Sequence, residues 1–153
     1  MGNEPLAGVR ILDLTQVFSG PFATMTLSFL GAEVIKIENR SRSMQARSRQ
    51  ALLAKGLKNN YIPAHAVNLG KLSLNLDLRT PQGVELLYQA VDICDLVVEN
   101  FRPGVMDRLG LNYARLANDH PDLIYCAISG FGQTGPRAAD PAYAPIVHAA
   151  SGF

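Results

Sequence analysis

Four short clusters carry the residue types from which a site for a phosphorylated ligand could be built. They are Gln16-Val17-Phe18-Ser19-Gly20, Asn39-Arg40, Asn100-Phe101-Arg102 and Gly130-Phe131-Gly132. A guanidinium pairs with phosphate oxygens in bidentate fashion. An amide such as that of Asn100 both donates and accepts, a ring such as Phe101 offers an apolar wall, and glycine lets a backbone come close to a ligand. Plainer readings stand beside these: Arg102 as a surface charge, Phe101 as a core aromatic, Gly130 and Gly132 as loop formers.

The chain is less forthcoming about catalysis. No Ser-His-Asp arrangement and no metal-ligand spacing is visible. Of the histidines, His65 has no partner motif, His120 precedes Pro121 in a loop and reads as exposed, and His148 falls on a predicted helix, where it reads as packing. Asp13 lies inside an apolar strand, Glu99 reads as structural, and Asp140 sits in a loop near the candidate site. Cys94 and Cys126 lie in apolar strand-like runs and read as buried thiols of a reducing compartment, with cytoplasm the default.

Charge adds one more signal. Between Asn39 and Leu76 there is no Asp or Glu, whereas Arg40, Arg42, Arg47, Arg49, Lys55, Lys58 and Lys71 all fall there. The segment reads either as a solvated loop and surface helix or as an anion-binding flank, Lys71 included. Nucleic acid is the weaker partner, because Tyr61 is the segment's only aromatic and the net charge of the whole chain is only +1. No apolar run approaches the length of about 18 residues needed to span a bilayer, so no membrane partner is expected. Met1-Gly2-Asn3-Glu4-Pro5 lacks the basic and apolar regions of a signal peptide.

These clusters need elements to position them. Val9–Leu14 reads as a buried strand, Phe22–Leu30 as a helix opened by Gly20-Pro21, and Glu33–Glu38 as a second strand, the spacing of a crossover unit. Leu72–Leu78 alternates as a third strand with one polar face. Thr80 and Pro81 are the N-cap and first residue of a helix running to Val91. Asp95–Glu99 is a fourth strand, Tyr113–Asn118 a short helix and Leu123–Ser129 a fifth strand, with a further short helix possible over Ala51–Leu57. The alternation predicts an α/β fold, a Rossmann-like, mostly parallel sheet with helices on both faces. All four clusters then follow strands, where such sheets bind ligands. A nucleotide-type site is expected there, although the Gly-x-Gly-x-x-Gly fingerprint of dinucleotide enzymes is absent after the first strand.

The stretches Pro5-Leu6-Ala7-Gly8-Val9-Arg10-Ile11-Leu12-Asp13-Leu14-Thr15, Leu30–Glu38, Gly70–Ser73, Leu76–Leu78, Val98–Gly110 and Gly130–Pro136 are more particular than such patterning. They resemble the N-terminal part of the family III CoA-transferases, a family that includes formyl-CoA transferase, carnitine CoA-transferases and α-methylacyl-CoA racemases. The resemblance implies that residues 1–153 are an N-terminal segment of a CoA-binding Rossmann-like large domain, with 39–71 as a basic insertion. It implies coenzyme A as ligand, no metal, a carboxylic acid as CoA acceptor, and either a homo-oligomer or a complementary C-terminal chain as partner. Carried over by position, Ser19, Asn100, Phe101 and Arg108 match CoA contacts. Phe18, Asn39, Arg40, Lys71, Arg102, Gly130 and Gly132 complete the expected cofactor-binding set, and Tyr143 matches an active-site tyrosine.

The transferases of this family use an aspartate that attacks the thioester and passes through an anhydride and an aspartyl-CoA thioester. That aspartate lies downstream of the apolar run ending in Ser151-Gly152-Phe153, so this stretch alone is expected to be inactive. Racemases carry a histidine where Tyr143 stands, which favours transferase ancestry. Ala144 replaces a usual acid, Phe18 stands where formyl-CoA transferase has glutamine, and Asn39 where proline or arginine is usual. The leading expectation is a CoA-transferase like formyl-CoA transferase. The alternatives are a non-catalytic CoA-binding remnant, one half of a split enzyme, or a racemase-like protein. Truncation is also expected to leave a sheet edge and a helix face uncovered.

Overall fold

A computed structural model of the chain describes residues 4–39 and 66–152. Five strands form one all-parallel sheet: β1 (Arg10–Asp13), β2 (Glu33–Glu38), β3 (Leu72–Asn75), β4 (Leu96–Glu99) and β5 (Ile124–Ala127), ordered β3-β2-β1-β4-β5. Helices among the described residues include α1 (Ser19–Phe29), α2 (Pro81–Val91), α3 (Val105–Arg108), α4 (Tyr113–Asp119) and α5 (Ala144–Ser151).

The sheet has two cores because side chains alternate across it. Leu12 and Val97 face a core completed by Leu87 and Val91 of α2, Met106 of α3 and Leu116 of α4. Ile11, Val34 and Val98 face the other side, where Leu27 of α1 packs. A strand covered on both faces must be apolar throughout, which is why the central strands read as continuous runs rather than alternations. Asp13, Lys36 and Glu99 are the buried charged exceptions, and the first two stand beside each other in the β1–β2 register.

Several expectations are refined. β3 stops at Asn75, and all four of its residues are exposed because it is the sheet edge. Cys126 is exposed on outer strand β5, and Cys94 is half-buried in the turn before β4, where burial pushes its thiol up to about 11. His120 is half-buried near Tyr88 and Asp92 rather than exposed. His148 is exposed on α5, a helix with no buried residue. The short helix α3 carried no periodic signal, being a single turn. The expected helix over Ala51–Leu57 and residues Arg40, Arg42, Arg47, Arg49, Lys55, Lys58 and His65 lie outside the described residues.

Candidate functional site at the sheet switch point

Strand order reverses between β1 and β4: the chain runs outward from β1 to β2 and β3, then returns to the other side of β1 as β4. Loops leaving two such strands diverge and open a crevice at their carboxyl ends. In this chain the two loops are tied together. The Gln16 backbone amide donates to Asn100 Oδ1 at 2.7 Å, and Asn100 Nδ2 donates to the Gln16 carbonyl at 2.8 Å. The amide expected to contact a ligand is therefore engaged in a reciprocal clasp between the β1–α1 and β4–α3 loops.

Below the clasp lies a buried charge cluster. The Asp13 carboxylate is fully buried and accepts from five donors. Oδ1 takes the Thr15 amide (2.8 Å), the Thr15 hydroxyl (2.5 Å) and Lys36 Nζ (3.1 Å), while Oδ2 takes the Thr24 hydroxyl (2.6 Å) and Lys71 Nζ (2.9 Å). Lys36 also donates to the Thr15 carbonyl. Lys71 reaches the Pro21 carbonyl (2.8 Å), the Thr24 hydroxyl (2.8 Å) and Asn68 Oδ1 (2.9 Å), and its side chain is only 1% exposed. Burial pushes the Asp13 carboxyl up, but Lys36, the two hydroxyls and Lys71 outweigh it and hold it below the ordinary carboxylate range. Burial pulls both lysines down, with Asp13 opposing. In this arrangement Lys71 is an internal tie, not a side chain presented to a ligand.

Between cluster and clasp the turn takes an uncommon path. Val17 has φ 69°, rare for a β-branched residue. Gly20 packs so tightly that a Cβ would lie 2.4 Å from the Thr15 side chain. The turn leaves Phe18 and Ser19 exposed, and the Phe18 ring stacks on Phe22 at 5.7 Å.

On the far side of β4 lies an open cleft of about 330 Å³, lined among others by Glu99, Arg102, Asp107, Tyr113, Tyr125 and Gln133. Glu99, 4% exposed, accepts from the Phe101 amide at 2.7 Å and lies 3.5 Å from the Tyr125 hydroxyl. Burial raises its pKa despite these two donors, and burial with Glu99 raises that of Tyr125. Phe101 packs partly against the core, Arg102 is exposed at the cleft, and Arg108 is exposed at the end of α3. Asn39 is half-buried just after β2.

At Gly130 a Cβ would lie 1.8 Å from that of Ala142, so the missing side chain makes room for the chain itself. That contact brings Tyr143, the exposed N-cap of α5, beside the Gly130–Gly132 loop. Gly132 adopts φ 84°, and a Cβ there would touch the Thr134 carbonyl oxygen at 3.9 Å. Sequence reading placed Ser19 and Asn100 at one end of the sheet as found. It missed the Asp13, Lys36 and Lys71 cluster, whose only sequence signal is charge within apolar strand contexts. Among the described residues no cluster of His, Cys, Asp and Glu is arranged to hold a metal, and no helix is long and apolar enough to cross a membrane.

A parallel sheet with helices on both faces and a switch point between β1 and β4 defines a protein of the doubly wound, Rossmann-like α/β class. Within it, the model of the CoA-transferase family III matches residues 6–153, and the chain belongs to that family. The chain is 42% identical over 150 residues to a succinyl-CoA:glutarate CoA-transferase of Mus musculus, covering 98% of this chain and 34% of that protein. It is 45% identical over 149 residues to an acetyl-CoA:oxalate CoA-transferase of Acetobacter aceti, covering 97% and 37%. Among solved structures it is similar to a CAIB/BAIF family protein from Brucella suis, with TM-score 0.82 and 35% identity over 99% of this chain and 40% of that one. The chain thus spans little more than a third of the length of these relatives.

Proposed function

We propose that the chain binds coenzyme A across the carboxyl ends of β1 and β4, as the CoA-holding part of an enzyme that moves CoA from an acyl-CoA thioester to a free carboxylic acid. The observation that carries this reading is the reciprocal Gln16–Asn100 clasp, which joins two of the family-matching stretches at the sheet's switch point. Phe18 and Ser19 are exposed in the turn that follows Gln16, and Arg102 and Arg108 are exposed on the segment that follows Asn100; they supply the apolar, hydroxyl and guanidinium groups that a nucleotide with phosphates requires.

Four of the described acids are engaged in other ways. Asp13 is saturated with donors, Glu99 holds the Phe101 amide, Asp107 accepts from Asn112, and Asp140 pairs with Arg137 at 3.0 Å. In line with the family resemblance, the reading assigns the nucleophilic carboxylate, and the aspartyl intermediate it would form, to a residue outside the described ones. Tyr143 beside the Gly130–Gly132 loop is the catalytic-site residue this chain would contribute. The named relatives are a succinyl-CoA:glutarate and an acetyl-CoA:oxalate CoA-transferase, which supports a short dicarboxylic acid as the acceptor beside the formyl-CoA-transferase-like reading.

Calorimetric titration with CoA tests this. Saturable binding that weakens about tenfold in Arg108→Ala, the change expected for losing one charge-assisted contact of about 1.5 kcal/mol, supports it. Absence of binding overturns it.

A further inference from the structure

The geometry points to Asp13, Lys36 and Lys71 as positioning residues that hold the β1–α1 turn in its ligand-ready shape, an inference that rests on the CoA reading above. None of the three presents its charged group to solvent: side-chain exposure is 0% for Asp13, 7% for Lys36 and 1% for Lys71. They act through the turn they grip. Thr15, where the turn begins, is held at three points: its amide and hydroxyl by Asp13 and its carbonyl by Lys36. Pro21 and Thr24, in the first turns of α1, are held by Lys71 and Asp13. Residues 16–20 are thus suspended between two anchors set by one carboxylate.

Two features argue that the cluster serves more than stability. Three buried ions are a poor way to stabilise a fold, since desolvation opposes most of what their attraction gains. The suspended segment also contains Val17 in a left-handed conformation, and such strain persists only where surrounding structure enforces it. With Gln16 clasped to Asn100 on one side and Gly20 pressed on Thr15 on the other, Phe18 and Ser19 have little freedom except to point outward. Lys71 also links Asn68, just ahead of β3, to the same carboxylate, so three parts of the chain converge on this one turn.

The test is hydrogen exchange on the whole chain, followed by CoA titration, in wild type, Lys36→Met, Lys71→Met and Asp13→Asn. Thr24→Val, which deletes one donor to Oδ2, keeps the test readable should Asp13→Asn fail to fold. Val91→Ala, in the opposite core, is the control for lost stability. The expected result is at least tenfold faster exchange at Gln16–Ser19 in the cluster variants, with β4 and β5 amides unchanged. CoA Kd should rise at least tenfold while stoichiometry and the salt dependence of Kd stay as in wild type, because neither ammonium touches the ligand. Val91→Ala should change neither quantity at a comparable loss of melting temperature. Unchanged exchange at Gln16–Ser19 overturns the inference, as does a reduced salt dependence of CoA binding in Lys36→Met or Lys71→Met, which would make these lysines direct phosphate contacts. A wild-type chain that fails to bind CoA overturns the functional reading instead, and the exchange data still decide whether the cluster holds the turn.

Discussion

Asn100 does two jobs with one amide, donating to and accepting from the Gln16 backbone across the gap between two parallel strands. Replacing it with alanine removes both bonds and should lower stability by about 1–2 kcal/mol in urea unfolding, with a larger proportional loss of CoA affinity because the loops it joins form the proposed site. Glu99 gives a pH-dependent prediction at the same scale. Its pKa is raised in the fold, so the folded state favours the protonated form, and the penalty is fully present above the folded pKa and absent below the unfolded one, about 4.5. Glu99→Gln keeps an acceptor for the Phe101 amide without the charge. Its urea midpoint should therefore exceed that of wild type at pH 7 and converge with it near pH 4. A variant less stable at pH 7 would show that the charge itself is needed. Residue types were the least legible level in the sequence. Asn100 reads as a ligand contact by its position in the family pattern and Lys71 by its place in an acid-free basic segment, but Asp13, Lys36 and Lys71 are 23 to 58 positions apart, and only the sheet register and the α1 packing bring them together.

At the scale of elements the sequence was far more explicit, because capping and periodicity are local. Thr80 accepts from the Gly83 amide at 3.0 Å with Pro81 at the first position of α2, as the Thr-Pro pair announced. Thr80→Ala should lower stability by about 1 kcal/mol, read as a drop in melting temperature without effect on CoA affinity. Gly20→Ala is expected to do both. A methyl 2.4 Å from Thr15 overpacks the turn, at about 1–3 kcal/mol, and shifts the residues that carry Phe18 and Ser19. Strand limits were less legible than strand existence. β3 was read to Leu78 on its alternation, yet pairing with β2 ends at Asn75, and Leu76 turns into the core below α2 instead. The burial of Cys126 was misjudged for a similar reason: an apolar run marks a strand but does not say that the strand lies at the rim of the sheet.

Across the whole molecule, the described surface carries more apolar groups than a self-sufficient domain needs. Leu72 and Leu74 are exposed on edge strand β3, Ile124 on β5 at the opposite edge, and Ile146 and Val147 on α5, which buries no residue. Open edges and apolar faces of this kind associate in water. Light scattering over a concentration series should show self-association, and Leu72→Lys with Leu74→Lys should reduce it; a monomer at all concentrations would contradict this. The same surface agrees with a chain that spans little more than a third of its relatives' length, since the faces left bare here are ones a longer polypeptide or a partner can cover. The central claim, that CoA lies across the carboxyl ends of β1 and β4, is tested most directly by mapping amide exchange with and without saturating CoA. The account predicts slowed exchange at residues 16–20 and 100–108, with β3 and α2 unaffected. Protection confined to the cleft beyond β4, around Tyr113 and Gln133, or absent throughout, would contradict it.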